Sequence, residues 1–351
     1  MKSTQTKTVA VGVAGLGRSG WDIHCALLAP MTDKYRIAAV FDGQAPRRDE
    51  AMARFGCRAY DSYDALLADG EVELVIVAMP SHLHAEYSIR ALEAGKAVVC
   101  EKPMATNLAD ADRMLAAARK SGHLLTVFQN RRYDPVFLKV KEVIASGKLG
   151  RIVEIKMTSH HFARRWDWQT LQKYGGGTLR NTGPHLLDQA LDLIGEREPQ
   201  VFCRMECVLT SGDAEDHVKL ILAVPNGPLV DLEITSACAY PQEHWLVMGS
   251  QGTLAGSDKS LRWKYFDPRD LPPRPVDERP TPDRSYNRET IPWKEETWES
   301  PTGSRWGQFY DDLYQTLHTG APLVVRPETV RRQMAIIEEC FRQSRPPVRF
   351  R

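Results

Sequence analysis

The chain predicts an α/β protein in two parts, a doubly wound parallel sheet over residues 1–130 and, over residues 131–351, an α+β domain built on a large, mostly antiparallel open sheet. Three observations predict it. From residue 8 to about 128, short apolar runs alternate with helical periodicity, the mark of parallel strands joined by crossover helices. After about residue 150, strand-like segments follow one another with few helices between them, as in antiparallel sheets. At 351 residues the chain is also too long for one ordinary core.

In the first part, TVAVGVAGLG (8–17), YRIAAVFD (35–42), VELVIVAMP (72–80), KAVVCEKP (96–103) and HLLTVFQN (123–130) each read as a buried strand that ends in a loop. Between them WDIHCALLAP (21–30), HAEYSIRALEAG (84–95) and NLADADRMLAAARKSG (107–122) have helical spacing, the last two with a glycine placed as a C-terminal stop. The stretch 130–150 reads as a connecting helix. Strands are then expected in 151–162, 200–210, 217–225, 229–240, 243–250 and 252–256, with a helix opened by Pro184 before most of them and two helices, 306–320 and 327–344, closing the chain. Residues 266–301 are rich in proline and charge and read as irregular. They suit a surface insertion, a flap over a pocket, or an arm that grips another subunit, and Trp293 and Trp298 favour an ordered role.

Lysine and arginine number 46 against 45 aspartates and glutamates, so no overall field draws the protein to nucleic acid or to an anionic membrane. The polar start MKSTQTKT and the short, glycine-broken apolar run after it fit neither a signal peptide nor a membrane span, and a cytoplasmic protein is expected. Seven scattered cysteines without a CxxC pair suggest neither a disulfide framework nor a zinc site. No carboxylate or cysteine is spaced to join His160 and His161 around a metal, so none is expected.

The first strand runs into Gly15, Leu16, Gly17, Arg18, Ser19 and Gly20, a GxGxxG followed by helical sequence. Glycines in this pattern give a tight turn, close backbone approach to a pyrophosphate and close helix-to-strand packing, while the helix N-terminus offers N–H groups to the anion. The motif alone is weak, and a structural turn would also use it. Here a strand precedes it, a helix follows, and Asp42 ends the second strand where a ribose contact is required. A carboxylate there favours NAD over NADP, although Arg47 and Arg48 could instead hold a 2′-phosphate.

Residues 175–188, GGGTLRNTGPHLLD, carry a glycine triplet, Asn181, His185 and Asp188. Such glycines mark a tight bend or a place where a ligand approaches the backbone. A helix from Pro184 puts His185 and Asp188 on one face with Asn181 just upstream; a capped helix with a satisfied core histidine is the plainer alternative, and Asp188 suits a purely structural role.

The GxGxxG loop, Pro80 and His84 in PSHLHAEYSIRALEAGK, Glu101-Lys102-Pro103 after a strand, and GGGTLRNTGPHLLD occur together in an order that resembles the glucose-fructose oxidoreductase/inositol dehydrogenase/MocA family over nearly the whole chain. The resemblance implies a Rossmann domain, a second domain whose open sheet lines the active site on one face and supports dimers or tetramers on the other, and NAD(P)-linked oxidation of a secondary hydroxyl on a sugar or cyclitol. It implies cofactor contacts from Gly15, Gly17, Arg18, Gly20, Asp42, Pro80, His84, Glu101 and Lys102, and Lys102 with His185 as the catalytic pair. Oxidising an alcohol needs a proton acceptor at the hydroxyl; histidine titrates near neutrality, and a lysine becomes useful when burial and a neighbouring positive charge lower its pKa. Where many relatives carry an aspartate, this chain has Asn181. His185 is therefore read as general acid/base, Lys102 as the polarising cation and Asn181 as the residue that orients. Arg131, with Arg132 and Tyr133, and Trp168, with Trp166, suit the hydroxyls and the C–H face of a sugar ring. Two other readings use the same parts: transient oxidation that leads to glycoside cleavage, and a cofactor-binding regulator without turnover.

Overall fold

A computed structural model describes residues 7–278, 284, 286–344 and 348–349. The first sheet has strands β1 (Val9–Ala14), β2 (Tyr35–Phe41), β3 (Arg58–Tyr60), β4 (Leu74–Val77), β5 (Ala97–Cys100) and β6 (Leu125–Val127) in the order β3-β2-β1-β4-β5-β6, all parallel. That is the doubly wound order, and its reversal lies between β1 and β4, where ligands bind beyond the strand ends. Every residue of β1 and β4 is buried, which is why both read as unbroken apolar runs. The crossovers are a π-helical turn over Ser19–Cys25 that continues as α1 (Ala26–Leu28), then α2 (Ala45–Phe55), α3 (Tyr63–Ala68), α4 (His84–Glu93) and α5 (Leu108–Ser121). The Asn107 carboxamide caps α5 by accepting from the Asp110 N–H, and Gly122 ends it in a left-handed conformation.

Helix α6 (Pro135–Ala145) leads to a nine-stranded sheet of β7 (Ile152–His160), β8 (Gln200–Cys207), β9 (His217–Ala223), β10 (Leu229–Thr235), β11 (Trp245–Gly249), β12 (Gly252–Gly256), β13 (Ser260–Tyr265), β14 (Lys294–Glu299) and β15 (Val348–Arg349), in the order β14-β13-β12-β11-β7-β10-β9-β8-β15. The β7–β10 and β8–β15 pairs are parallel and the rest antiparallel. One face packs on helices: Phe137 of α6 stacks on Trp245, and α7 (Thr178–Asn181) and α8 (Gly183–Ile194) lie against β10. The other face carries Phe202, Ile221, Asp231, Lys156 and Leu246 in one cross-strand row, with Phe202 59% exposed.

The last two helices, α9 (Gly307–Thr319) and α10 (Pro327–Gln343), return to the first sheet. The Tyr35 hydroxyl donates to the Tyr310 carbonyl at 2.7 Å, that of Thr126 to the Val325 carbonyl at 2.9 Å, and Gln129 meets Gln333 at 3.0 Å. Helix α10 also packs on β8. Strands β3 and β13 had no place in the sequence reading, and β14 lies inside the stretch expected to be irregular. Its KEETWE alternates, and β13 supplies the ladder that short, charged segment needs, with Trp298 opposite Leu261. Trp293 packs edge-on against Phe266. Residues 279–283 and 285 of that stretch, and residues 1–6 of the polar N-terminus, lie outside the described residues. No helix among those described is long and apolar enough to cross a membrane.

Candidate active site

Beyond β1 the three glycines take three different roles. A Cβ on Gly15, which has φ +92°, would lie 2.7 Å from the Ala78 carbonyl oxygen, and one on Gly20 would lie 1.9 Å from that of Gly15, whereas Gly17 opens onto free space with no atom within 4 Å. The first and third permit the close packing of loop, helix and strand; the second leaves a cradle beside the helix N-terminus. Asp42, just past β2, is buried and accepts from the N–H groups of Leu16 at 2.8 Å and Gln44 at 2.9 Å. Arg47 and Arg48 both turn toward it, Arg47 to its carboxylate at 3.3 Å and Arg48 to its carbonyl at 2.8 Å. An open glycine cradle, helix N–H groups and a carboxylate at the second strand together fit NAD.

Two residues expected to touch the cofactor are buried and bonded to the protein itself. His84 is buried, with Nδ1 2.6 Å from the Pro103 carbonyl and Nε2 2.8 Å from that of Met79. It ties the loop after β4, which holds Pro80, to the loop after β5, and its ring has no surface left for a ligand. Burial pushes its pKa down against those two hydrogen bonds. Glu101 is likewise buried: it accepts from the Ser19 hydroxyl and from the Lys102 N–H at 2.9 Å, and meets His24 Nε2 at 3.1 Å. Burial raises its pKa, but the hydrogen bond and charge of His24, the Lys102 ammonium and the Ser19 hydroxyl outweigh that and hold it down at about 2. His24 passes the connection to Tyr310 on α9, Nδ1 to hydroxyl, at 2.5 Å.

Lys102, Asn181, His185, Arg131 and Arg18 line one cleft of about 1070 Å³. The Lys102 ammonium donates to the Asn181 backbone carbonyl at 2.9 Å. Burial lowers its pKa, and Arg18 and Arg131 push the same way against Glu101. His185 is shifted well below its ordinary value, by burial first and then by the positive charges of Lys102 and Arg131. Its Nδ1 is shielded and has no hydrogen-bond partner among the described residues. Asn181 thus enters through its main chain, toward Lys102; no hydrogen bond joins its carboxamide to His185, because the single turn of α7 directs the carbonyl to the site. Arg131 pairs with Asp134 at 3.1 Å and stays half exposed to the cleft.

Other expected residues lie elsewhere. Trp168 borders a separate cavity of about 30 Å³ on the other side of Lys102 and Asn181, and Trp166 is 79% exposed. Asp188 faces away from the cleft, gripped by Arg132 at 2.6 and 2.7 Å and by Gln333 at 2.6 Å. Among the described residues no cluster of histidine, cysteine and carboxylate side chains could hold a metal.

Residues 9–129 match the model of an oxidoreductase family with an NAD-binding Rossmann fold, GFO_IDH_MocA, and residues 137–255 match the C-terminal domain of the same family. The Escherichia coli oxidoreductase YhhX is 31% identical over 341 residues, which are 95% of this chain and 96% of that one. The chain belongs to the Gfo/Idh/MocA oxidoreductase family. The scyllo-inositol 2-dehydrogenase (NADP(+)) IolW of Bacillus subtilis is 34% identical over 54% of this chain and 52% of its own, and the myo-inositol 2-dehydrogenase of Thermotoga maritima is 31% identical over 70% and 74%. The fold is that of Bacillus subtilis YvaA, with a TM-score of 0.83 at 23% identity over 96% of both chains.

Within this Gfo/Idh/MocA frame, the cleft also gathers residues that the motifs did not mark. The Nδ1–H of His244 donates to the Thr158 carbonyl on β7, with its pKa lowered by burial, and Trp306 closes one wall, its indole N–H donating to Asp134 at 2.9 Å. Residues 299–304 complete that wall, so the end of the proline-rich stretch borders the site. None of these carries a local signal, because each reaches the cleft only through the packing of segments distant in sequence.

Proposed function

We propose that this NAD-binding oxidoreductase is a dehydrogenase that transfers a hydride between nicotinamide and a secondary hydroxyl of a sugar, sugar derivative or cyclitol. The observation that carries the reading is the convergence of Lys102 and His185 in one cleft, with both pKa values pushed down by burial and by shared positive charge. Relatives named as inositol dehydrogenases support a ring-shaped polyol. When bound, the oxidised nicotinamide supplies the hydride acceptor. The rest falls to the chain. His185 is neutral near pH 7, so its ring is free to take a proton from the hydroxyl. Lys102, held by the Asn181 carbonyl, donates to the same oxygen and stabilises the negative charge that develops on it. Arg131 is placed to bind a neighbouring hydroxyl or carboxylate.

The test is a screen of sugars and cyclitols with NAD and NADP in parallel, following absorbance of the reduced cofactor. Turnover with at least one polyol is expected, lost in Lys102→Ala and His185→Ala. A tightly bound cofactor without turnover on any polyol would overturn the reading, and product formed without net cofactor reduction would indicate transient oxidation instead.

A further inference from the structure

The glycine triplet and the residue packed against it assign a role to a side chain that no motif marks. Glu215, just before β9, is 1% exposed. Its backbone carbonyl accepts from the Thr178 N–H and its Oε1 from the Leu179 N–H, both at 2.9 Å. These are the first two N–H groups of α7, which otherwise lack partners at a helix start, and α7 has no capping side chain of its own. Gly177 makes the arrangement possible: its φ is +108°, and a Cβ there would stand 2.2 Å from one Glu215 carboxylate oxygen and 2.4 Å from the other. The last residue of that single turn is Asn181, whose N–H closes on the Gly177 carbonyl at 2.9 Å and whose own carbonyl receives the Lys102 ammonium at 2.9 Å. The Glu215 carboxyl thus stands as an acceptor at the N-terminus of the turn and the Lys102 cation at its C-terminus, the end at which a helix dipole favours positive charge.

We infer that Glu215 is a positioning residue for Lys102, capping α7 from the distant segment just before β9 so that the Asn181 carbonyl holds the ammonium at the cleft. The inference rests on the reading of Lys102 as the group that acts on the substrate oxygen. Its consequences follow from the turn's length. With four residues, α7 cannot keep its geometry by propagation, so its ends fix it, and both ends are held by side chains that meet only in the folded protein. Glu215 Oε2 has no hydrogen-bond partner among the described residues. Burial pushes its carboxyl up to about 7, against the Leu179 N–H, its own N–H and the Arg180 charge, with Asp216 adding to the rise; the Cys340 thiol of α10 also faces it. Glutamine, which keeps an acceptor for the Leu179 N–H, therefore resembles the native residue more closely than alanine does.

The full chain is treated with methyl acetimidate, and the amidination rate of Lys102 is read by mass spectrometry alongside turnover. Releasing the ammonium from the Asn181 carbonyl removes a hydrogen bond to its charged form and lowers the Lys102 pKa, so Glu215→Ala is expected to raise that rate by about 3- to 10-fold, a shift of up to one pKa unit, with kcat reduced and the KM for NAD unchanged. Glu215→Gln should restore the native rate. Should Glu215→Ala fail to fold, Glu215→Asp, which withdraws the carboxylate from the Leu179 N–H, is read in its place with the same expectation. Unchanged Lys102 reactivity in the folded variant, with only a loss of stability, overturns the inference. Raised reactivity with unaltered turnover leaves it standing and instead overturns the role given to Lys102 in the reaction.

Discussion

His185 and Lys102 share a cleft that moves both pKa values the same way, and this sets the expected pH dependence of alcohol oxidation. His185 stays neutral until well below pH 6.5, and Lys102 loses its proton below its ordinary 10.5. If His185 must be neutral and Lys102 charged, kcat/KM rises from an acidic limb below 6.5 and falls in an alkaline limb below 10.5; limbs at or above those ordinary values would contradict the assignment. Removing a positioned acid/base typically costs about 10²- to 10⁴-fold. His185→Ala is expected to lower turnover by that order, with NAD affinity, measured by fluorescence titration, near native because the glycine cradle lies in the other half of the molecule. Asp42 belongs to the same scale. Its carboxylate already accepts two backbone N–H bonds and an Arg47 contact, so its charge is fixed at the end of β2, where it is expected to disfavour a 2′-phosphate. Asp42→Ala should narrow the preference for NAD, and faster native turnover with NADP at equal concentration would transfer control to Arg47 and Arg48.

Among the elements, α9 is bound to the cofactor loops by a buried chain that runs from Tyr310 through His24 to Glu101, and from there to Ser19 and the Lys102 N–H. The Tyr310→Phe variant leaves His24 Nδ1 buried without a partner, which costs about 1–3 kcal/mol; urea unfolding should show a loss in that range, and no loss would mean that the connection carries no stability. Glu101 adds a pH signature. Its folded pKa is depressed to about 2 from an ordinary 4.5, so the stability it contributes is complete above 4.5 and disappears as pH falls through 2. Glu101→Gln should flatten that part of the acid unfolding profile. The same chain explains why a segment so late in the sequence belongs to the first sheet: Tyr310, Tyr35 and Phe128 pack ring against ring around His24, and the polar chain is enclosed by them.

At the scale of the whole molecule, the second sheet covers one face with helices and presents the other with Phe202, Leu229, Ile221 and Leu246 among paired ions such as Lys219 with Asp231 and Glu233. An open sheet face on which apolar side chains alternate with internally paired ions, and which no helix among the described residues covers, suits burial against a second copy of itself. We expect a homodimer or homotetramer. Sedimentation at micromolar concentration should show it, Phe202→Glu should weaken it, and a native monomer under those conditions would count against it.

Most of the strand and helix order, though not β3, β13, α2 or α3, together with the glycine loop, Asp42 at the end of β2, the EKP loop and the helix that bears His185, was legible in the sequence, because each rests on local physics: periodicity, turn chemistry and the unbroken apolar runs of strands buried on both faces. Strand β14 was not, since a charged six-residue segment becomes a strand only where β13 offers a ladder. Nor could a motif say which way its side chains point. His84 and Glu101 belong to the cofactor motifs yet turn inward, one to two carbonyls and the other to His24, and Trp168 faces a different cavity from His185. Asn181 sits 79 residues from Lys102 and meets it through its carbonyl, while Glu215, 36 residues beyond Leu179, fills the space that Gly177 leaves. Those directions were decided only when distant segments packed together, because a side chain's orientation is set by what buries it and by where its hydrogen bonds can be satisfied, and neither is a property of the neighbouring sequence.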